Sequence, residues 1–189
     1  MGRWEPNAHE RLSLAALELF TERGYDSTTV AEIAERAGLT KRTFFRHFAD
    51  KREVLFGGQN TLSRLIAEKI TGADESASPL EAIGVALEAV DVIFSPERRQ
   101  WAQQRQAVIA GNSELREREL LKSTTIAAAM AAALRERGVG DLVADLAAEV
   151  GNLAFRTSFE RWLEPANEQG FAELVRQTIK ELRAAAIHI

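Results

Sequence analysis

The chain has 189 residues with a net charge of −4, and 46% of the residues are hydrophobic and 28% charged. This composition is typical of a folded protein and argues against a general nucleic-acid coat, while the absence of Cys excludes disulfides and thiolate chemistry. No run approaches the roughly 18 apolar residues of a membrane span, and the N-terminus lacks the apolar core of a signal peptide. We therefore expect a cytoplasmic protein that does not contact a membrane.

Helix-capping residues divide the N-terminal part of the chain, where no strand-like alternation occurs. Asn7 followed by Glu10 is a typical N-cap pair, and Gly24 is expected to end the first helix in a left-handed conformation. Thr29 and Glu32 form a second capping pair. The first three predicted helices follow Asn7, Thr29 and Thr40 and end near Gly24, Ala37 and Phe48.

The rest of the chain also has the capping residues and apolar periodicity of helices. Asp50 and Glu53 predict a fourth helix from Lys51, and the glycine pair at 57–58 is expected to weaken it and to allow a kink or break. The other predicted helices start at Pro79, Pro96, Ser113, Asp141 and Glu168 and end before or near Ser95, Gly111, Gly138, Pro165 and Ile187. The expected fold is all-α, with about nine helices.

The segment Thr29–Phe48 has the size and punctuation of a helix-turn-helix, because two short helices flank a turn at Gly38. Its apolar residues are spaced to pack against the first helix, which leaves the outer face of the third helix polar. Side chains on that face donate hydrogen bonds to base edges or phosphates when such a helix lies in the major groove. The outward residues are Thr40, Lys41, Arg42, Thr43, Arg46 and His47.

Positive charge is concentrated around this helix although the whole chain is acidic. Residues 36–52 contain six basic residues against one acid, Asp50. A local basic patch on an acidic protein is typical of a selective DNA-binding surface, and the alternative is a solvated helix face. Three His residues lie too far apart in the sequence to suggest a metal site, and we expect no metal and no cofactor.

Residues Arg11–Phe56 resemble the DNA-binding domain of TetR-family transcriptional regulators, almost without gaps. The resemblance is carried by Gly24-Tyr25, Thr28-Thr29-Val30, Ile33-Ala34, Ala37-Gly38 and Phe48 followed by Lys51. It implies a three-helix DNA-binding domain at residues 1–56 and a helical ligand-binding and dimerisation domain at residues 57–189.

The resemblance also implies two sets of DNA contacts. Phe45 stands where the family usually has Tyr, which removes a hydroxyl contact to phosphate, and Arg42 replaces a commonly small residue. Arg42 is therefore open to guanine readout or to a phosphate contact. The residues implied to face the groove are Thr40, Lys41, Arg42, Thr43 and Arg46. The residues implied to touch phosphates are Thr28, Thr29, Phe45, His47 and Lys51.

Two residues before the first helix, Arg3 and Trp4, leave two alternatives open. They form either an arm that enters the minor groove or a disordered end.

The middle helices carry apolar residues and one cation that we interpret as an effector pocket, with plain core packing as the alternative for each. Residues Arg98–Arg118 and Trp162 resemble a TetR subgroup with an acyl-CoA-like ligand-binding domain. We expect a small apolar or amphipathic effector. The proposed lining residues are Phe94, Trp101, Arg105, Ile109, Met130, Phe155 and Trp162.

The last two predicted helices carry the stripes that we interpret as a homodimer interface. Small residues permit close approach, and two helices from each subunit would make a four-helix bundle. The alternative is packing within one subunit. The predicted interface residues are Ala147, Val150, Gly151, Ala154, Phe171, Leu174, Val175, Thr178 and Leu182.

These features predict a ligand-responsive repressor that binds a palindromic operator in double-stranded DNA as a dimer and is released by its effector. A helical interaction adaptor without DNA binding is one alternative, and the basic third helix argues against it. A helical enzyme is another. The chain has no Cys, Glu-x-x-His pair or phosphate-binding glycine loop, so we expect no catalytic residues.

Overall fold

A computed structural model describes residues 7–186, and all regular structure in that range is helical, as predicted. Nine α-helices and two short 3₁₀ turns follow one another along these residues. The α-helices are α1 (Ala8–Arg23), α2 (Val30–Arg36), α3 (Lys41–His47), α4 (Gln59–Thr71), α5 (Pro79–Ala89), α6 (Pro96–Ala110), α7 (Ser113–Glu136), α8 (Asp141–Leu163) and α9 (Phe171–Ala186). The 3₁₀ turns are Arg52–Leu55 and Val90–Ile93.

The predicted helix starts at the N-terminus are confirmed by their capping hydrogen bonds. The Asn7 side chain accepts from the Glu10 N–H at 3.0 Å, and Thr40 Oγ1 accepts from the Thr43 N–H at 3.1 Å. Thr29 and Glu32 form a reciprocal capping box. These bonds satisfy N–H groups that the first turn of a helix leaves without partners, so they fix where each helix begins.

Three details of the predicted helices are wrong. The segment after Asp50 is a 3₁₀ turn rather than the start of a long helix, and α4 begins only after the glycine pair 57–58. Gly24 has a positive φ of 86°, but its ψ of 157° is extended rather than left-handed helical. Helix α9 begins at Phe171 because the Asn167 side chain accepts from the Gln169 N–H at 3.0 Å and holds that segment in a turn.

The helices form two compact units. The N-terminal unit joins the chain up to Gly57 with Gln103–Leu120, and the C-terminal unit joins Gly58–Ala102 with the chain from Leu121 onward. The end of α6 and the start of α7 therefore pack with the helix-turn-helix. The predicted domain boundary at residue 56 did not anticipate this inserted segment, because the spacing of apolar residues in the segment does not show which helices they pack against.

Each unit has its own apolar core. In the N-terminal unit, residues of α1 such as Leu12 and Phe20 are buried together with Ile33 of α2 and Phe44 of α3. The larger core of the C-terminal unit contains apolar residues from α4, α5, α7, α8 and α9, including Ile66, Ile83, Met130, Phe155 and Phe171. Within residues 7–186 no helix is long and apolar enough to cross a bilayer.

Candidate nucleic-acid interface

Helix α3 is held by two phenylalanines on its inner face. Phe44 and Phe48 are four residues apart and therefore lie on the same side of the helix, where both are buried and their rings are 5.4 Å apart. Helix α3 packs against both α1 and α2. Gly38 adopts a positive φ of 64° in the turn between α2 and α3, a conformation that glycine tolerates without strain. Burial of one face leaves the opposite face of α3 outward.

The outer face of α3 brings the predicted groove residues together. Thr40, Lys41, Arg42 and Arg46 are exposed and Thr43 is partly exposed. Phe45 is 53% exposed, which is unusual for a large apolar side chain. A shallow surface depression is lined by Thr40, Arg42, Thr43, Phe45 and Arg46.

The cations of α3 differ from the other basic residues of the same stretch. Among the described residues, no ion pair joins Lys41, Arg42 or Arg46 to a carboxylate. In contrast, Arg36 pairs with Glu22 at 2.9 Å and Arg52 pairs with Asp50 at 2.8 Å. The positive charge that remains available for a polyanion is therefore concentrated on the outer face of α3.

The ion pair between Arg36 and Glu22 also affects the protonation of the Glu22 carboxyl. Hydrogen bonds from the Arg36 guanidinium lower the pKa of the Glu22 carboxyl, which favours the charged pair. Arg36 also lies 3.3 Å from Glu18, so two α1 carboxylates face one α2 guanidinium. Arg36 thus joins α1 to α2 rather than adding to the DNA-facing charge.

The predicted phosphate-contacting set needs one correction. Thr28 is only 1% exposed, and its hydroxyl donates to the Gly24 carbonyl at 2.9 Å, so its side chain cannot meet a phosphate in this arrangement. Thr29 is exposed, but its hydroxyl donates to Glu32 at 2.8 Å as part of the capping box. Phe45 and His47 are exposed. The sequence pattern identifies these positions, but it does not show which threonine hydroxyl forms a hydrogen bond within the protein.

The side chain of Lys51 forms hydrogen bonds with two main-chain carbonyls. Its Nζ donates to the carbonyls of Tyr25 at 2.8 Å and Thr28 at 3.0 Å, and it lies 4.0 Å from the centroid of the Tyr25 ring. Burial raises the pKa of Tyr25 to about 12, so the phenol beneath the ammonium stays neutral. Lys51 therefore fixes the loop between α1 and α2, and only part of its donor capacity remains for a phosphate.

His47 has a histidine neighbour from α1. The ring of His9 packs on Phe48 with centroids 4.6 Å apart and lies 6.2 Å from the ring of His47. Burial, and then the charge of His47, lower the pKa of His9 below its ordinary value. Within residues 7–186 no group of three or more His, Asp or Glu side chains is arranged to hold a metal ion.

Two arginines hold the 3₁₀ turn Arg52–Leu55 and its C-cap, a role that sequence reasoning assigned to neither of them. Arg105 Nε donates to the Leu55 carbonyl at 2.7 Å, and its guanidinium lies 4.9 Å from the Phe56 ring and 3.5 Å from Glu119. Arg118 forms an ion pair with Glu53 of the same 3₁₀ turn. Both arginines belong to the inserted segment of the N-terminal unit. The charged pattern of residues 98–118 was the available signal, but it does not show which partners these charges meet.

The seven residues predicted to line the effector pocket do not all belong to the same unit. Arg105 and Ile109 belong to the N-terminal unit, whereas the other five predicted lining residues belong to the C-terminal unit. Assigning Arg105 as the cation of the pocket is wrong, because its guanidinium is already bound by Leu55 and Glu119. Ile109 is fully buried within the core of its own unit.

The C-terminal unit contains an aromatic cluster at the expected place. Phe94 stacks on Phe171 with centroids 4.1 Å apart and lies 5.4 Å from Trp162 and 6.0 Å from Phe155. Arg99 lies 5.4 Å from the Trp162 ring. Met130 is fully buried in the same core, and Trp101 is partly buried against it. These contacts describe close packing, and the role of the cluster in binding an effector stays a prediction.

The predicted dimer stripes lie mostly inside the subunit. Six of the nine residues are buried in the contacts of α5, α8 and α9, where Gly151 leaves room for the Ile83 side chain. These six residues are Gly151, Ala154, Phe171, Leu174, Val175 and Thr178. Their assignment to an intersubunit surface is wrong, because small and apolar stripes serve intrachain packing equally well. Ala147, Val150 and Leu182 are partly exposed.

A small three-helix module with one exposed basic helix defines the class of this protein as a helix-turn-helix protein. Residues 14–56 match the family profile described as bacterial regulatory proteins, tetR family. The match covers residues 14–56 only, and over these residues the chain is similar to the regulatory proteins of the tetR family.

Curated relatives support this assignment. The chain is 38% identical over 81 residues to the HTH-type transcriptional regulator TcmR of Streptomyces glaucescens, covering 43% of this chain and 36% of that protein. It is 35% identical over 108 residues to the HTH-type transcriptional repressor KstR2 of Mycobacterium tuberculosis (strain CDC 1551 / Oshkosh), covering 50% of this chain and 52% of that one. The chain thus spans about half or less of the curated relatives it matches.

A solved structure supports the fold over nearly the whole chain. NalD, the secondary repressor of the MexAB-OprM multidrug efflux pump in Pseudomonas aeruginosa, superposes with a TM-score of 0.59 at 18% identity, covering 94% of each chain. At this low identity the likeness concerns the fold alone.

Arg3 and Trp4, the residues of the predicted N-terminal arm, lie outside the described residues. Whether they form an arm stays open.

Proposed function

We propose that this protein is a ligand-responsive transcriptional repressor that binds a palindromic operator as a homodimer. The observation that carries the proposal is the set of α3 cations, which are exposed and have no carboxylate partner among the described residues. Leaving such charges unpaired has no structural benefit, but it allows them to bind phosphates and base edges. The repressor title of KstR2 supports repression.

The proposed contacts fall into two classes. Thr40, Lys41, Arg42, Thr43 and Arg46 read bases or neighbouring phosphates in the major groove. His47 contacts a phosphate at the edge of the same surface, where the Phe45 ring adds only van der Waals contact with the sugar-phosphate backbone. Thr29 lies at the same edge, but its hydroxyl must leave Glu32 before it can donate to a phosphate. Because phosphate contacts position a protein and base contacts specify the sequence, Arg42 is the strongest candidate for discrimination between operators.

The C-terminal unit is the proposed effector-binding part, within a ligand-binding and dimerisation domain at residues 57–189. Its aromatic cluster suits a small apolar or amphipathic effector, with Phe94, Trp101, Met130, Phe155 and Trp162 as the proposed contacts. Effector binding is expected to favour an arrangement of the two subunits that no longer matches the groove spacing. The protein is expected to act in the cytoplasm, where a bacterial operator is located.

Selection of bound duplexes from a random DNA pool tests the proposal. We expect enrichment of a two-fold symmetric sequence whose half-sites are centred about one helical turn apart, roughly 34–36 Å. Enrichment of no sequence, or affinity that does not fall with salt, would contradict DNA recognition by α3. The effector is tested separately, by measuring release of the selected duplex as small apolar and amphipathic compounds are added. The repressor mechanism fails if compounds that demonstrably bind leave the DNA affinity unchanged.

A further inference from the structure

The ring of His9, on the first turn of α1, packs against the C-terminal end of α3. Its centroid lies 4.6 Å from that of Phe48, the C-cap of α3, and 6.2 Å from that of His47, the last residue of the helix. The ring also abuts Gly57, where an added Cβ would overlap it. One side chain of α1 therefore contacts the end of α3 and the chain that follows the 3₁₀ turn, all within the N-terminal unit.

The surroundings of the His9 ring suit a neutral imidazole rather than a charged one. Its contacts with Phe48 and Gly57 are apolar, and between residues 7 and 186 no hydrogen bond to the ring is formed. Both nitrogens of a protonated histidine are donors, and a charge away from water needs a partner. Because the ring is only partly exposed, protonation in this position costs free energy that a ring in water does not pay.

Two charged side chains act on the His9 ring, one from each helix that it joins. His47 of α3 opposes protonation of His9, whereas Glu10 of α1 favours it. The other two contacts, Phe48 and Gly57, carry no charge. Burial, and then the charge of His47, outweigh Glu10 and hold the pKa of His9 below its ordinary value of 6.5. Whenever the exposed His47 carries a proton, its charge therefore resists a second one on His9.

We propose that His9 is an acid-sensitive latch, whose neutral ring holds the end of α3 and whose protonated ring leaves this place and loosens the DNA-reading helix. Since the pKa of His9 is depressed in the folded protein, the contribution of the latch is complete above the ordinary value of 6.5 and is lost as the pH falls through the folded value. The effect on operator binding rests on the proposed function, but the latch itself does not. A proton on His47 acts in the opposite direction, because it strengthens a phosphate contact.

Nuclear magnetic resonance of the full chain without DNA tests the latch itself. We expect the His9 ring to titrate below 6.5 in the wild type, and at a higher pH in His47→Gln because the repulsion is removed. The Phe48 N–H donates to the Phe44 carbonyl at 2.9 Å. Its hydrogen-exchange protection factor should fall at least about threefold between pH 8 and 5.5 in the wild type and stay constant in His9→Gln. The Gly24 N–H, which donates at the other end of α1, is the control amide and should keep its protection.

Fluorescence anisotropy with a selected operator, at constant salt, tests the consequence for DNA binding. The affinity of the wild type relative to His9→Gln should fall at least about threefold between pH 8 and 5.5. His188→Gln removes the third histidine of the chain and is the matched control, which should follow the wild type.

A His9 ring that titrates at or above 6.5, or Phe48 protection that falls equally in His9→Gln, would overturn the latch whether or not the chain binds DNA. A pH-independent affinity ratio would overturn its effect on operator binding. A latch that passes the resonance test in a chain that selects no operator would contradict the proposed function alone.

Discussion

Gly57 is a residue whose small size is required by its neighbours. A Cβ at this position would overlap the ring of His9 and approach Phe48 to 3.0 Å, whereas a Cβ at Gly58 would meet nothing within 4 Å. Gly57→Ala is therefore expected to lower the free energy of unfolding by about 1–3 kcal/mol through overpacking. Gly58→Ala is the matched control and should be neutral or stabilise the protein by up to about 1 kcal/mol. Urea denaturation measures both, and equal effects would contradict this packing.

Phe45 is expected to be a site where DNA affinity can be gained. Its ring is 53% exposed and lacks the hydroxyl that the family resemblance implies at this position. Phe45→Tyr should tighten binding to a selected operator by about two- to tenfold, because a phenol can donate one hydrogen bond to a phosphate. Fluorescence anisotropy measures the affinity, with unchanged thermal stability as the control. Unchanged or weaker binding would show that position 45 does not face the phosphate backbone.

At the residue scale, the sequence predicts the contacts that form between residues close together along the chain. The caps at Asn7, Thr29 and Thr40 are bonds between residues three positions apart, so the sequence contains all the information needed. The burial of Thr28 and the engagement of Lys51 depend on carbonyls that only the folded loop brings near. The motif therefore identified the outer face of α3 but assigned some of its neighbours incorrectly.

The α5 capping box gives a pH-dependent prediction at the element scale. Hydrogen bonds from the hydroxyl and N–H of Ser78 lower the pKa of the Glu81 carboxyl below its ordinary value of 4.5. A carboxyl with a depressed pKa in the folded state stabilises the protein above its unfolded pKa, and this contribution is lost as the pH falls through the folded value. The stability difference between the wild type and Glu81→Gln should therefore shrink as the pH is lowered from 6 towards 3 (the range, roughly, over which carboxyls titrate).

Chemical denaturation across that pH range measures the difference. Glu75→Gln, an exposed loop substitution, is the control for general charge effects and should show no such trend. A difference that grows on acidification would contradict the assigned cap.

The inserted segment of the N-terminal unit is expected to stabilise the 3₁₀ turn next to α3. Arg105→Met removes the donor to the Leu55 carbonyl and leaves Glu119 without its buried partner. We expect the free energy of unfolding to fall by about 1.5–3 kcal/mol, as for a hydrogen bond to a charged group. Arg98→Met, an exposed α6 substitution, should be nearly neutral. Equal stability of the two variants would contradict the structural role of Arg105.

Element boundaries were predictable where glycine, proline or a cap marks them. Helices α5, α6 and α7 begin at the predicted Pro79, Pro96 and Ser113. The segment after Asp50 was misread because Asp50 accepts hydrogen bonds from the next N–H groups in a 3₁₀ turn as readily as it caps an α-helix. Which face of α8 is buried was also misread, since Leu142 and Leu146 follow the same spacing as the core stripe.

At the scale of the whole molecule, the resemblance to the TetR family follows from a contiguous N-terminal pattern, and the all-α fold follows from caps and apolar spacing along the chain. The arrangement of the C-terminal helices follows from neither. Contacts such as the aromatic cluster of Phe94, Trp162 and Phe171 join residues far apart in sequence, so no local spacing reveals them. Recognition of an operator depends on one physical property of this protein, which is that the charges of α3 are available to DNA.

The affinity of a selected operator for the Arg42→Ala/Arg46→Ala variant tests that property most directly. Fluorescence anisotropy at several salt concentrations should show a loss of at least about 100-fold and a shallower dependence of affinity on salt, since the proposed dimer would lose four cationic contacts. Lys69→Ala should bind within about twofold of the wild type. Binding of the double variant within about threefold of the wild type, by a folded dimer, would contradict the account.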